Sequence, residues 1–85
     1  MQCFVYKSLK KEALYLYTTQ KDNFNQLPEE CLALLGRLEF VMTLELTPER
    51  KLARENTEKV LKSLRDKGFY IQLPPTTLQA PLNIH

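Results

Sequence analysis

Glycine is nearly missing from this chain: Gly36 and Gly68 are the only two, too few for a loop that wraps phosphates with successive backbone N–H groups. Histidine occurs once, as the last residue, His85, where an end prone to fraying cannot hold a general base rigidly. The two cysteines, Cys3 and Cys31, lack Cys-x-x-Cys spacing, and a single histidine does not complete a zinc-ligand pattern with them. An excess of one charge is lacking as well. Twelve Lys and Arg against ten Asp and Glu leave a net charge of +2, below the electrostatic footprint of a dedicated nucleic-acid binder. No apolar run approaches the roughly 20 residues that span a bilayer. No basic stretch, apolar core and small-residue cleavage site mark a secretory signal. The expected setting is therefore cytoplasmic, away from membranes, with reduced thiols, although a disulfide between them stays geometrically open.

What is present describes one folded unit. Eighty-five residues suffice for one core and not two, and 44% hydrophobic with 26% charged residues is a globular rather than a disordered composition. There is no internal repeat, low-complexity stretch or linker.

Along the chain, Cys3-Phe4-Val5-Tyr6 and Leu14-Tyr15-Leu16-Tyr17-Thr18 are short runs rich in aromatic and β-branched side chains, as strands are. The polar stretch between them has hairpin length. Leu27-Pro28-Glu29-Glu30 predicts a helix start, with Pro28 in the first turn and two acids at the positive end. Leu32 and Leu35, beside Cys31, form its apolar stripe, and Gly36 ends it. From Glu39 to Leu46 a period of two places Phe40, Met42, Leu44 and Leu46 on one face of a third strand, with Val41, Thr43 and Glu45 on the other. Thr47-Pro48 is a second helix-start signal, with a short turn of helix expected after it. A longer helix follows from about Asn56 to Lys67, apolar at Thr57, Val60, Leu61 and Leu64, with a Glu58–Lys62 ion pair on its outer side. Gly68 stops that helix, and Phe69-Tyr70-Ile71-Gln72-Leu73 forms a last strand closed by Pro74-Pro75.

The predicted architecture is α+β, a single-domain α/β sandwich in the order ββαβαβ, with a four-stranded antiparallel or mixed sheet and two main helices. Its expected core is Val5, Leu14, Leu16, Phe40, Met42, Leu44, Val60, Leu61, Leu64 and Ile71. Residues 1–75 form the domain, and 76–85, interrupted by Pro81, are expected as a mobile or loosely docked tail.

Several of these segments together resemble the YcgL domain of gammaproteobacteria: Cys3 with Val5-Tyr6-Lys7-Ser8, Tyr15-Leu16-Tyr17, Asp22 with Phe24, Pro28-Glu29, Lys59-Val60, and Gly68-Phe69-Tyr70-Ile71-Gln72-Leu73-Pro74-Pro75. The resemblance covers residues 1 to about 75. It implies a compact α/β sandwich and supplies no reaction, cofactor or catalytic residue.

Candidate chemistry is sparse. No nucleophile–base pair, metal set or phosphate loop is visible, so no catalytic, cofactor-binding or metal residue is assigned. Cys3 and Cys31 fit core filling by small hydrophobes, and Glu29 with Glu30 suits a helix N-terminus better than an acid–base pair. Two surfaces stand out. Tyr15 and Tyr17 alternate onto one sheet face, which Tyr6 and Tyr70 can share if register allows, and with Lys7, Lys10 and Lys11 they would stack and neutralise single-stranded RNA. The competing reading buries these rings beneath a helix. The second surface is Gln72-Leu73-Pro74-Pro75, an extended exit segment for a protein partner, or simply a strand end blocked against edge pairing. The leading expectation is a non-enzymatic binding or adaptor protein acting through protein contacts, with RNA binding as the alternative and an enzyme with an unrecognised site as a third.

Overall fold

The computed structural model of the chain describes residues 1–50, 52 and 56–74. In chain order these form β1 (Gln2–Ser8), β2 (Tyr15–Thr18), α1 (Glu29–Leu35), β3 (Leu38–Glu45), α2 (Thr57–Asp66) and β4 (Phe69–Gln72). The order ββαβαβ is the one the sequence predicts. The four strands make one sheet in the spatial order β3-β1-β2-β4, antiparallel at every pairing. Pro75 and the predicted tail 76–85 lie outside the described residues.

Strand alternation divides the core in two. Cys3 and Val5 of β1 and Tyr17 of β2 face α2, where they meet Leu44, Leu46, Val60, Leu61 and Leu64. Tyr6, Leu14 and Leu16 face the other way and meet Leu27 and Leu35, with Phe24, Cys31, Phe69 and Ile71 packed around them. Successive β residues point to opposite sides, so a sheet whose central strands carry apolar side chains on both faces requires a helix on each face. The result is a three-layer α/β/α sandwich. The sheet also separates the two thiols, Cys3 in one layer and Cys31 in the other, and both are free.

The first helix is cut by its neighbours. Pro28 is extended (φ −62°, ψ 156°) and stands just before α1 as its N-cap, one residue outside the first turn predicted for it. The core-facing residues are Leu27, Cys31 and Leu35, four apart, whereas Leu32, expected on the stripe, is 37% exposed. At the other end the β1–β2 hairpin closes the helix. Ser8 Oγ donates to the Leu35 carbonyl at 2.6 Å and Lys10 Nζ to the Ala33 carbonyl at 3.1 Å, satisfying carbonyls that a helix end leaves without partners. Gly36 ends α1 at φ +65°, and a Cβ there would sit 2.9 Å from Lys10 Cβ. Glycine is needed there both for its conformation and for its lack of volume.

The third strand corrects the predicted pattern. Val5 pairs with Met42 but Tyr6 pairs with Phe40, so Val41 is an extra residue opposite the Val5/Tyr6 step. This β-bulge inverts the alternation. Met42 and Leu44 share the α2 side with Val5 and Cys3, while Phe40 turns to the α1 side against Tyr6, ring centroids 5.5 Å apart. Because β3 is an edge strand, Phe40 (40%) and Met42 (43%) are exposed, and neither belongs to the core assigned to them from alternation. The other predicted core residues are buried, except Ile71, which is half-buried against the α1-side cluster. Leu35, Leu46, Leu27, Tyr6 and Tyr17 are buried in addition to that list, and Cys3 is buried as its core-filling reading expects.

The second helix starts where Asn56 Oδ1 accepts the Lys59 N–H at 3.2 Å, the usual N-cap bond, and Gly68 (φ +88°) receives its end. Lys62 reaches Asp66 at 3.4 Å rather than the predicted Glu58. After Thr47-Pro48 the described residues form a single non-helical turn, closed by the Arg50 N–H on the Thr47 carbonyl at 3.0 Å, in place of the short turn of helix expected there.

Two measurements check this packing. Leu64→Ala removes a buried side chain beneath the sheet and should lower stability by about 2 to 5 kcal/mol in denaturant melts; a loss under about 0.5 kcal/mol contradicts the assigned helix face. Burial pushes the Cys3 thiol up from 9.0 to about 11, against the lowering effect of the nearby N-terminal amine, with Glu45 adding to the rise. The folded state thus keeps its proton where the unfolded chain loses it, so stability should fall as pH rises from about 9 to about 11. Cys3→Ala should flatten that slope, and an unchanged slope contradicts the assignment.

Candidate functional site

The four tyrosines singled out by alternation do not share a face. Tyr15, Tyr17 and Tyr70 lie on the α2 side and Tyr6 on the α1 side. Tyr17 is buried, its hydroxyl donating to Gln72 Oε1 at 2.8 Å, and its ring meets that of Tyr70 edge-to-face at 6.2 Å. Tyr15 and Tyr70 are half-buried on the same cluster. Tyr6 is buried between Phe24 and Phe40, with centroids 5.1 and 5.5 Å away. Its hydroxyl accepts the Asp22 N–H at 2.7 Å and donates to Asp22 Oδ1 at 3.2 Å. Burial raises its pKa, opposed by the Asp22 N–H. A stacking platform needs several exposed, coplanar-facing rings; here α2 covers one set and the Asp22 loop holds the remaining ring.

The hairpin lysines are dispersed in the same way. Lys7 faces Glu39 across the β1–β3 pair at 3.6 Å, Lys10 caps α1, and Lys11 is exposed, its backbone N–H held by Ser8 Oγ at 3.0 Å. At the exit of β4, Gln72 and Pro74 are buried and Leu73 is exposed, while Pro75 lies outside the described residues. Gln72 therefore serves Tyr17 inside the fold.

The structure shows instead an open groove of about 490 Å³ between α2 and the outer edge of β4. One wall is Lys59, Lys62, Ser63 and Asp66 of α2, with Lys67 at its end; the other is Phe69, Tyr70 and Ile71. The helical wall is a stripe spaced three and four residues apart, next to the buried Val60–Leu61–Leu64 stripe. Burying one stripe against the sheet thus turns the neighbouring stripe toward the sheet edge. The walls carry three lysines against one aspartate.

Chemically the groove offers hydrogen bonds and positive charge. The Ser63 hydroxyl donates to the Phe69 carbonyl at 2.6 Å, tying the helix to the strand. Among the described residues, no group of three or more His, Cys, Asp and Glu side chains is placed to hold a metal ion, and no helix is long and apolar enough to cross a membrane. The sequence reading missed this groove because it placed Lys62 on the outer, solvated side of the helix and gave Lys59 no site role. The signal lay in the α2 stripe adjoining the apolar one, but only the sheet order reveals β4 as the edge beside it.

Comparison with known proteins places these residues in a family. A YcgL domain-containing protein of Thioalkalivibrio sulfidiphilus is 48% identical over 75 residues, covering 88% of this chain and 93% of the relative. Another from Cellvibrio japonicus is 47% identical over 74 residues, 87% of this chain and 76% of the relative. A Nitrosococcus oceani protein named "Putative HAD-like hydrolase" is 48% identical over 71 residues, which are 84% of this chain but 19% of that protein. The first two names state a domain and no activity. The YcgL domain model matches residues 3–75, spanning every element from β1 to β4, and the chain belongs to the YcgL domain family.

Proposed function

We propose that this YcgL domain is a non-enzymatic protein-binding module that engages its partner across the α2–β4 groove. The observation that carries this reading is the groove itself: an open trough of about 490 Å³ set against a sheet edge, where a partner chain can meet side chains and backbone together. The Nitrosococcus protein supports the modular part, because the matching segment makes up 19% of it and sits beside other sequence. Every buried side-chain N or O atom among the described residues has a hydrogen-bond partner. The interior polar groups therefore serve the fold, and recognition falls to the surface.

Affinity capture from cell extract with three forms of the intact chain tests this. Lys62→Trp places a bulky ring at the mouth of the groove on an exposed helix position, and Met42→Lys changes the exposed opposite edge. Partners bound by the wild type should be lost or at least several-fold depleted with Lys62→Trp and retained with Met42→Lys. The same partners on all three forms remove the groove as the binding site.

A further inference from the structure

Resting on the groove as the binding site, we infer that its occupant is an extended, acidic peptide segment that adds to the outer edge of β4 as a fifth strand. The hydrogen-bond parity of β4 comes first. The Thr19 N–H donates to the Gly68 carbonyl at 3.1 Å, and the β2–β4 register pairs Thr18 with Phe69, Tyr17 with Tyr70 and Leu16 with Ile71. In an antiparallel ladder, bonded and non-bonded pairs alternate. Gly68, Tyr70 and Gln72 therefore turn their backbone groups toward β2, and Phe69 and Ile71 turn theirs outward. The Ser63 hydroxyl on the Phe69 carbonyl confirms the outward direction independently.

The edge thus presents the Phe69 N–H and both backbone groups of Ile71 to a chain lying in the groove. Such an edge is a template for strand addition. The bonds are few, so side-chain recognition must supply the rest.

Charge identifies the side chains. Lys59 and Lys62 stand on the α2 wall and Lys67 at its end, with Asp66 already held by Lys62. Along the helix, Lys59 to Lys67 spans about 12 Å at 1.5 Å per residue. Three side chains on one side of an added strand, two residues apart, span about 13 Å. Carboxylates at alternate positions of an extended segment therefore match the lysine row in length as well as in sign. A second copy of this chain does not suit the site, because two β4 edges would bring two lysine rows together.

Titration of isotopically labelled full-length protein with three capped seven-residue peptides tests the inference. The peptides alternate Thr and Val with Glu, with Gln, or with Lys. The Glu peptide should shift the Phe69 and Ile71 amide resonances and bind about three- to tenfold more tightly than the Gln peptide at low salt. The Lys peptide should not bind, and the Glu advantage should shrink as salt rises. The double variant Lys59→Gln with Lys62→Gln should reduce the Glu peptide to the Gln affinity. Equal binding of the Glu and Gln peptides at these amides overturns the acidic preference and leaves the groove reading standing. Binding of none of them, or shifts confined to other surfaces, overturns both. Tighter binding of single-stranded RNA at the same amides overturns the peptide assignment.

Discussion

Neither β1 nor β2 has a solvent face. Cys3, Val5 and Tyr17 are turned to one layer, and Tyr6, Leu14 and Leu16 to the other, so each strand of this central pair is apolar in both directions. A strand of this kind is stable only with cover on both sides. The two helices meet that requirement from opposite sides, and each is positioned by what the pair presents to it: Leu35 and Cys31 against Leu14 and Leu16, and Val60, Leu61 and Leu64 against Val5 and Tyr17. Burying the pair also brings polar atoms inside, where each lost partner would cost about 1 to 3 kcal/mol. The Tyr6–Asp22, Tyr17–Gln72 and Gln26–Thr18 bonds supply those partners. They tie the loop after β2 and the last strand to the centre.

Double cover of the middle leaves the sheet open only at its two margins, and these differ. The β3 edge carries the Val41 bulge and has the Lys21 ammonium lying over the Phe40 ring at 4.6 Å. A bulge and a charge are both devices that blunt strand pairing. The β4 edge keeps a regular register through all its paired residues and has a lysine-bearing helix beside it. A chain that adds to this sheet meets an irregular ladder at one side and a regular, charged one at the other.

The element order was legible because its signals are local. Pro28 before α1 with two acids in its first turn, Gly36 and Gly68 after the helices, and the Val60–Leu61–Leu64 stripe each act within a few residues. The inside–outside assignment of β3 was not legible, since a strict period of two runs through Phe40, Met42 and Leu44, and only pairing with β1 reveals the bulge that breaks it. Sheet order decided the rest. Tyr6 and Tyr17 are both tyrosines on apolar strands, yet their odd and even positions send them to opposite layers. Gln72 read as an exposed exit residue because nothing local shows that Tyr17, 55 positions earlier, donates to it. The groove depends on the same long-range information: the lysines are ordinary helix-surface residues until β4 is known to be an edge.

Ionisation and hydrogen bonding together show where chemistry is available to another molecule. The Cys3 thiol and the Tyr6 hydroxyl are both moved upward by burial, farther from neutral pH, whereas acid–base and nucleophilic work needs such groups brought toward it. Both are locked beneath helices or loops and belong to the core. The groove is the reverse case. Its lysines are exposed, its outward backbone groups lie on a strand edge, and its Ser63 hydroxyl is already directed at the Phe69 carbonyl. Exposed like charges along an edge contribute little to stability, but they steer an oppositely charged chain toward the site and reject a basic one. A short edge with few backbone bonds gains most from that discrimination, because a ladder alone would accept any extended segment.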